Sequence, residues 1–250
     1  MKNIITIWKP IGLTPLQALD GLREKFPEYV GEKLSYAGRL DPMAEGVMLV
    51  LVGEENKNRG EHLGVDKEYE FEVLFGIRSD TYDLMGMPEY KKTNVNKEEF
   101  GRMVDDLVGK INQEYPPFSG KTIGGVKMFD LAKEGKLPKD LPKLKGEVFE
   151  TELLDIVKKK FGEVIEKVNN VILSVEGDFR QDEILSVWNK LEIDKDEKLV
   201  VAKIKLSCSS GVFMRAIANE LGKKMGGAAL AYSIKRIGVG RYREKDCIKI

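Results

Sequence analysis

At 250 residues, with 42% hydrophobic side chains, the chain can bury a sizeable core as one large domain or two small ones. Its 41 basic and 41 acidic side chains cancel, and taken globally a net charge of zero argues weakly against a nucleic-acid partner. Two cysteines without a C-x-x-C spacing, Cys208 and Cys247, and a single histidine, His62, support neither a disulfide framework nor a zinc site.

The N-terminus has no charged-then-apolar signal pattern, and no apolar run approaches membrane-spanning length. The expectation is a soluble protein of the reducing cytoplasm, without a membrane contact or a metal. Ile4 to Trp8 reads as a short strand, followed by a turn at Lys9-Pro10-Ile11-Gly12. Thr14 and Pro15 predict a capped helix start, with Leu16, Leu19, Leu22 and Phe26 as its apolar stripe.

Residues 35 to 54, SYAGRLDPMAEGVMLVLVGE, hold the most informative pattern. Val47 to Val52 is an unbroken apolar run, which reads as a strand buried on both faces. Gly38 and Gly46 bracket a short irregular segment, and Pro42 biases Asp41 toward an extended backbone. In an extended loop Arg39 and Asp41 point the same way, and the guanidinium keeps the acid ionised, as suits a nucleophile or base. The competing reading is a turn aspartate that caps local amides.

His62 falls in a polar loop and is expected at the solvated surface. Residues 66 to 73 alternate, placing Tyr69, Phe71, Val73 and Phe75 on one face of a half-exposed antiparallel strand. A polar loop follows from Ser79 to Gly86. Asn96 to Val108 reads as a helix with Glu99 placed for a capping box. A short helix is expected over residues 129–135 and a strand from Val148. Further on, Asp178 is placed to cap a helix carrying Phe179, Ile184, Leu185, Val187, Trp188 and Leu191, and Val171 to Val175 is strand-like. Val200 to Ser207 alternates as a strand, and after Gly211 a helix projects Arg215 from its first turn. Residues 203–250 carry eleven Lys/Arg against three acids, a balance of +8, so a basic face can exist on a neutral molecule.

G-R-L-D-P-x-A-x-G-V at residues 38–47 resembles the catalytic motif of the TruB family of tRNA pseudouridine synthases, and its first four residues also resemble the RluA and RsuA families. Further motifs appear in the family's order. They are K-P-x-G-x-T from Lys9, K-x-Y-x-F from Lys67, the S-D-T-x-D-x-x-G loop ending at Gly86, and C-S-x-G-x-x-x-R ending at Arg215. Tyr115 to Lys121 resembles P-P-x-x-S-A-x-K, one residue short and with Gly120 for alanine. Tyr36 stands where the family has a histidine, and Phe213 where it has a tyrosine.

The resemblance implies an α+β fold, a central, mostly antiparallel mixed sheet with flanking helices and a cleft across it. It implies a single catalytic domain over residues 1–250, with no room for a C-terminal PUA domain. The chain departs from the family by an excess near residues 160–197, whose apolar stripe is expected to make it an ordered insertion packed beside the 200–207 strand. The implied reaction is isomerisation of uridine to pseudouridine, in the T-arm of tRNA at position 55, by a monomer with no cofactor. Asp41 would open the glycosidic bond, by attack on the sugar or by taking a ribose proton. Tyr69 would stack on the flipped base, Arg215 pair with Asp41, and Ile234 line the uridine pocket. Lys9, Tyr36, Arg39, Asp83, Lys121 and Arg236 complete the expected substrate-binding set, with the basic 203–250 surface, Lys9 and Lys121 on phosphates. Asp83 either binds RNA or only orders its loop. The alternatives are another RNA site, as in the RluA or RsuA families, or a non-catalytic tRNA-binding chaperone.

Overall fold

A computed structural model describes residues 3–250. The strands are β1 (Ile4–Lys9), β2 (Leu34–Ala37), β3 (Glu45–Val52), β4 (Lys67–Phe75), β5 (Ile77–Ser79), β6 (Pro88–Tyr90) and β7 (Gly109–Glu114), then β8 (Thr122–Ile123), β9 (Val126–Lys127), β10 (Lys143–Lys160), β11 (Lys198–Cys208), β12 (Ala229–Val239), β13 (Tyr242–Arg243) and β14 (Ile248–Lys249). Between them lie helices α1 (Pro15–Lys25), α2 (Arg59–Leu63), α3 (Lys97–Asp105), α4 (Met128–Lys133), α5 (Phe161–Ser174), α6 (Gln181–Asn189) and α7 (Met214–Lys224). Ten strands form one mixed sheet in the order β14-β1-β3-β12-β4-β11-β10-β7, with β2 added to β3 and β13 to β12. Only the β1–β14 and β3–β12 pairs are parallel. The architecture is α+β, a mostly antiparallel mixed sheet with flanking helices.

The apolar run of β3 is explained by its position. Seven of its eight residues are buried, because β1, β2 and β12 flank it. Gly46 is required where β3 meets β12. Its φ is +128°, and a Cβ there would lie 2.2 Å from the Arg236 carbonyl oxygen. Along β4 the predicted alternation holds: Tyr69, Phe71, Val73 and Phe75 are buried while Glu68, Glu70 and Glu72 are partly exposed. The register places Phe71 between Ile234 and Ile204, and Tyr69 between Arg236 and Leu206.

Helix α1 begins where the sequence predicts, with a reciprocal capping box between Thr14 and Gln17. Its buried stripe is Ala18, Leu19 and Leu22, packed on Ile5, Ile7, Met48 and Val50, each buried leucine contributing about 1.5–3 kcal/mol. Leu16, expected on that stripe, is 63% exposed because the helix presents Pro15 to the interior instead. Helix α3 ends at Asp105, short of Val108; Asn96 caps it by accepting from the Glu98 and Glu99 amides. His62 is not a free surface histidine: its Nε2 lies 2.7 Å from Glu55 Oε1, and both side chains are largely covered.

Residues 160–197 fold as two helices between the end of β10 and the start of β11. Val171 to Val175, expected as a strand, is the last turn of α5 and its cap. The β-branched run hid a helical stripe of Val164, Val168, Val171 and Ile172. Asp178 does not cap α6, which starts at Gln181; Asp178 is exposed, and the Gln181 side chain instead bonds Phe179 N, Val175 O and Gly177 O. Val164, Ile172, Ile184 and Trp188 join the same apolar cluster as Phe71, Leu74 and Ile204. Trp188 is fully buried, and its indole N–H is 3.2 Å from both Leu84 O and Gly86 O. Trp188→Ala should therefore cost about 3–5 kcal/mol of unfolding free energy in denaturant titration. A loss below about 1 kcal/mol would mean that α6 is not part of the core.

Candidate active site

Asp41 sits on the loop between β2 and β3. Backbone bonds from Ala44 N to Asp41 O (3.0 Å) and from Gly12 N to Pro42 O (2.9 Å) hold that loop. The Asp41 side chain is 28% exposed, so it faces solvent from an ordered backbone. Arg215, in the first turn of α7, reaches it: Arg215 Nε is 2.9 Å from Asp41 Oδ2 and 3.4 Å from Asp83 Oδ2. The Nε–H is aimed squarely at neither carboxylate, so the contact is an ion pair rather than a linear hydrogen bond. The other end of the guanidinium donates to Thr81 O (2.9 Å) and Phe118 O (3.3 Å), which fixes its plane.

Asp83 backs this pair from the interior. It is fully buried, and its Oδ1 accepts from Thr81 Oγ1 (2.6 Å) and Met85 N (2.8 Å). Burial pushes its pKa up to about 6, against the pull of Arg215 and of these hydrogen bonds. For Arg215 the balance is reversed: burial disfavours its charge, but Asp41 and Asp83 together raise its pKa. The arginine is thus charge-compensated from below by Asp83, which leaves the solvent-facing Asp41 held in place by a cation. Removing the arginine would leave two neighbouring acids without a partner.

The remaining predicted residues divide. Tyr69 and Ile234 lie beside the cluster on β4 and β12, Tyr69 only 8% exposed, with burial raising the phenol pKa and Arg236 opposing it. Lys121 is exposed, its Nζ 5.3 Å from the Tyr115 ring centroid. Arg39 is exposed and forms no ion pair with Asp41; its Nη1 lies 3.3 Å from where a Cβ on Gly120 would stand. The Asp41 partner is Arg215, because the loop turns Arg39 outward. Tyr36 is also outside the cluster, packed toward the α1 core with Arg59 5.8 Å from its ring centroid.

Three expected RNA contacts are corrected by burial. Arg236 is 1% exposed and donates to Val47 O (2.7 Å), Arg39 O (3.2 Å) and Gly38 O (3.3 Å), so it braces the Asp41 loop. Lys9 is fully buried and donates to Pro10 O (2.8 Å) and Leu13 O (2.7 Å), so its amine is turned inward, away from any phosphate. Asp83 orders its loop and pairs with Arg215. The +8 segment is likewise less basic than its sequence: Arg215 and Arg236 are buried, and Lys203, Lys223, Lys235, Arg243 and Lys249 are ion-paired.

Several supporting residues were given no role by the sequence pattern. Lys67 is buried on β4 and donates to Leu63 O (3.0 Å) and Ser210 Oγ (2.8 Å). Gln113, also buried, exchanges bonds of 3.0 and 2.9 Å with the Phe213 backbone and so pins the start of α7. Phe213 itself lies edge-on to Tyr115, with centroids 5.6 Å apart.

The TruB family pseudouridylate synthase (N terminal domain) matches residues 27–172, more than half of the chain. The chain belongs to the TruB family. It is 28% identical over 248 residues to tRNA pseudouridine synthase B of Borreliella burgdorferi (strain ZS7), covering 98% of this chain and 73% of that protein. To the protein of that name from Aquifex aeolicus it is 25% identical over 251 residues, covering 100% and 72%. Among solved structures, a chain of a Cbf5-Nop10-Gar1 complex superposes with a TM-score of 0.61 at 15% identity, covering 99% of this chain and 52% of that one. A chain of an H/ACA RNP bound to a substrate RNA containing 2'-deoxyuridine gives 0.57 at 14% identity, covering 98% and 50%. This chain spans about half the length of those two solved chains, and the likeness shows the fold.

In this TruB-family site a cavity of about 620 Å³ borders the cluster at Tyr82 and Phe118 rather than opening over Asp41. No helix among the described residues is long and apolar enough to cross a membrane.

Burial pushes the Lys9 amine down to about 7, with Asp41 holding it up and Arg236 pressing it further down. Between that value and the ordinary 10.5, the folded protein holds Lys9 neutral while the unfolded chain holds it protonated. The unfolded state then binds more protons, so stability should rise with pH from about 7 toward 10.5 and level off below 7, where both states hold the proton. Lys9→Met should flatten that rise when unfolding free energies are measured by denaturant at neutral and at alkaline pH. An equal pH dependence in the two proteins would show that Lys9 stays charged when folded.

Proposed function

We propose that this protein converts uridine to pseudouridine in tRNA, with Asp41 as the reacting group. The observation that carries the reading is the ion pair of 2.9 Å between Arg215 and the solvent-facing Asp41, backed by buried Asp83, in a chain of the TruB family. In this reaction the bond from the ribose C1′ to N1 of the base breaks, and a bond from C1′ to C5 forms. A proton leaves C5 and one is taken up at N1, so no atoms are gained and no cofactor is consumed. Asp41, oriented by its ion pair with Arg215, starts the cleavage.

A base inside an RNA stack has to be extruded before its glycosidic bond can be reached. Tyr69, with Ile234 two positions from its β12 neighbour Arg236, supplies an aromatic and an aliphatic wall beside Asp41 for the extruded uracil. Arg236 acts one layer down by holding carbonyls of the Asp41 loop, and Lys9 by holding those of the turn at residues 10–13, which bonds to that loop through Gly12. The names of the relatives matched over nearly all of this chain support tRNA as the substrate. Within tRNA we place the target in the T-arm, at uridine 55, and the enzyme in the cytoplasm as a monomer. Lys121 and the exposed Lys205, Lys224, Arg241 and Lys245 are the cations left to meet phosphates.

Asp41→Asn is nearly isosteric, and Asp83 still compensates Arg215 in the variant. It should lower pseudouridine formation on tRNA by roughly 10³-fold or more while melting temperature and tRNA affinity stay close to wild type. Turnover within tenfold of wild type would remove Asp41 from the chemistry. A wild-type protein that binds tRNA and forms no pseudouridine would point to a binding role, and product at another RNA position would redirect the substrate assignment.

A further inference from the structure

Arg180 stands in the link between α5 and α6, with its backbone in the left-handed region at φ 62°, a rare conformation for a side chain of this size. From there the side chain reaches two other segments. Its Nη1 is 3.0 Å from Asp80 Oδ2, and its guanidinium carbon is 4.4 Å from the centroid of the Phe118 ring. The pair is partly shielded, at 22% exposure for Arg180 and 34% for Asp80.

These two segments are the ones that hold Arg215. Its carbonyl acceptors are Thr81 O, next to Asp80, and Phe118 O. Asp80 also closes the loop containing Asp83, because its Oδ1 accepts from Met87 N at 2.7 Å. The loop has no slack: a Cβ on Gly86 would lie 2.3 Å from both Asp80 Oδ1 and Thr81 Oγ1. Trp188 on α6 donates to Leu84 O and Gly86 O of the same loop, so the 160–197 segment grips it at two points.

We infer that Arg180 is a positioning residue for Arg215, clamping together the two segments whose carbonyls orient that guanidinium against Asp41. Arg180 forms its ion pair with Asp80, not with Asp41. It acts by ion-pairing with one segment and placing its guanidinium over the aromatic ring of the other, a combination that suits a guanidinium better than an ammonium. The inference rests on the proposed pseudouridine chemistry for its kinetic readout, but not for its structural one.

The test compares Arg180→Ala and Arg180→Lys with wild type in full-length protein, alone and combined with Arg215→Lys. Misplacing a group by an ångström can cost as much as ~10²-fold, so Arg180→Ala should lower kcat on tRNA by roughly tenfold, with KM within about twofold, and Arg180→Lys should fall between. In the Arg215→Lys background the same change should add little, because the two residues act in series. A rise in KM at unchanged kcat would make Arg180 an RNA contact and overturn the inference, as would full additivity with Arg215→Lys. Independently of any activity, the NMR signal of the Arg215 Nε–H should shift in Arg180→Ala protein that retains its fold. An unmoved signal overturns the positioning role. A wild-type enzyme that forms no pseudouridine while this signal does shift would instead count against the proposed function alone.

Discussion

The site depends on one arginine taken out of water between two carboxylates. A guanidinium as deeply buried as that of Arg215 is tolerable only with its charge compensated and its N–H groups occupied. Asp83 and the carbonyls of Thr81 and Phe118 meet most of that demand from inside the protein. Asp41 then completes the arrangement from the solvent side. Because the interior acid and the carbonyls already hold the arginine, the outer acid can face a substrate without being needed to keep the fold together.

Much of the surrounding sequence exists to hold backbone rather than substrate. Arg236 binds the carbonyls of Gly38, Arg39 and Val47, and Lys9 binds those of Pro10 and Leu13. Gly46 lets the β3 backbone come so close to Arg236 that no Cβ fits. Gln113 fixes the first turn of α7, from which Arg215 projects. Basic residues near a reactive acid invite assignment to RNA phosphates. Here two of them are internal braces, and the distinction is one of burial.

Periodicity and capping chemistry made much of the fold readable in advance. The run from Val47 to Val52 read as a strand covered on both faces, the alternation from Tyr69 to Phe75 as a half-covered one, and Thr14-Pro15 as a helix start. Those signals are local, so they survive without knowledge of the tertiary structure. The misreadings were local signals overruled by packing. Val171 to Val175 is β-branched yet completes a helical stripe, and Asp178 has capping chemistry but lies exposed while Gln181 satisfies the turn.

The sequence by itself determined which groups are candidates for the chemistry: a carboxylate at Asp41 before a proline, an aromatic at Tyr69, and an arginine at the start of a helix. Only the tertiary structure decided how they are partnered. Arg39 is two residues from Asp41 and turns away, whereas Arg215 is distant in the chain and lies 2.9 Å from it. Likewise the basic balance of residues 203–250 is a property of composition, but burial of Arg215 and Arg236 and pairing of five others leave little of it as a surface field. The physical reason is the same in both cases. Electrostatic strength depends on distance and on exclusion of water, and both are set by long-range packing of strands and helices rather than by neighbours along the chain.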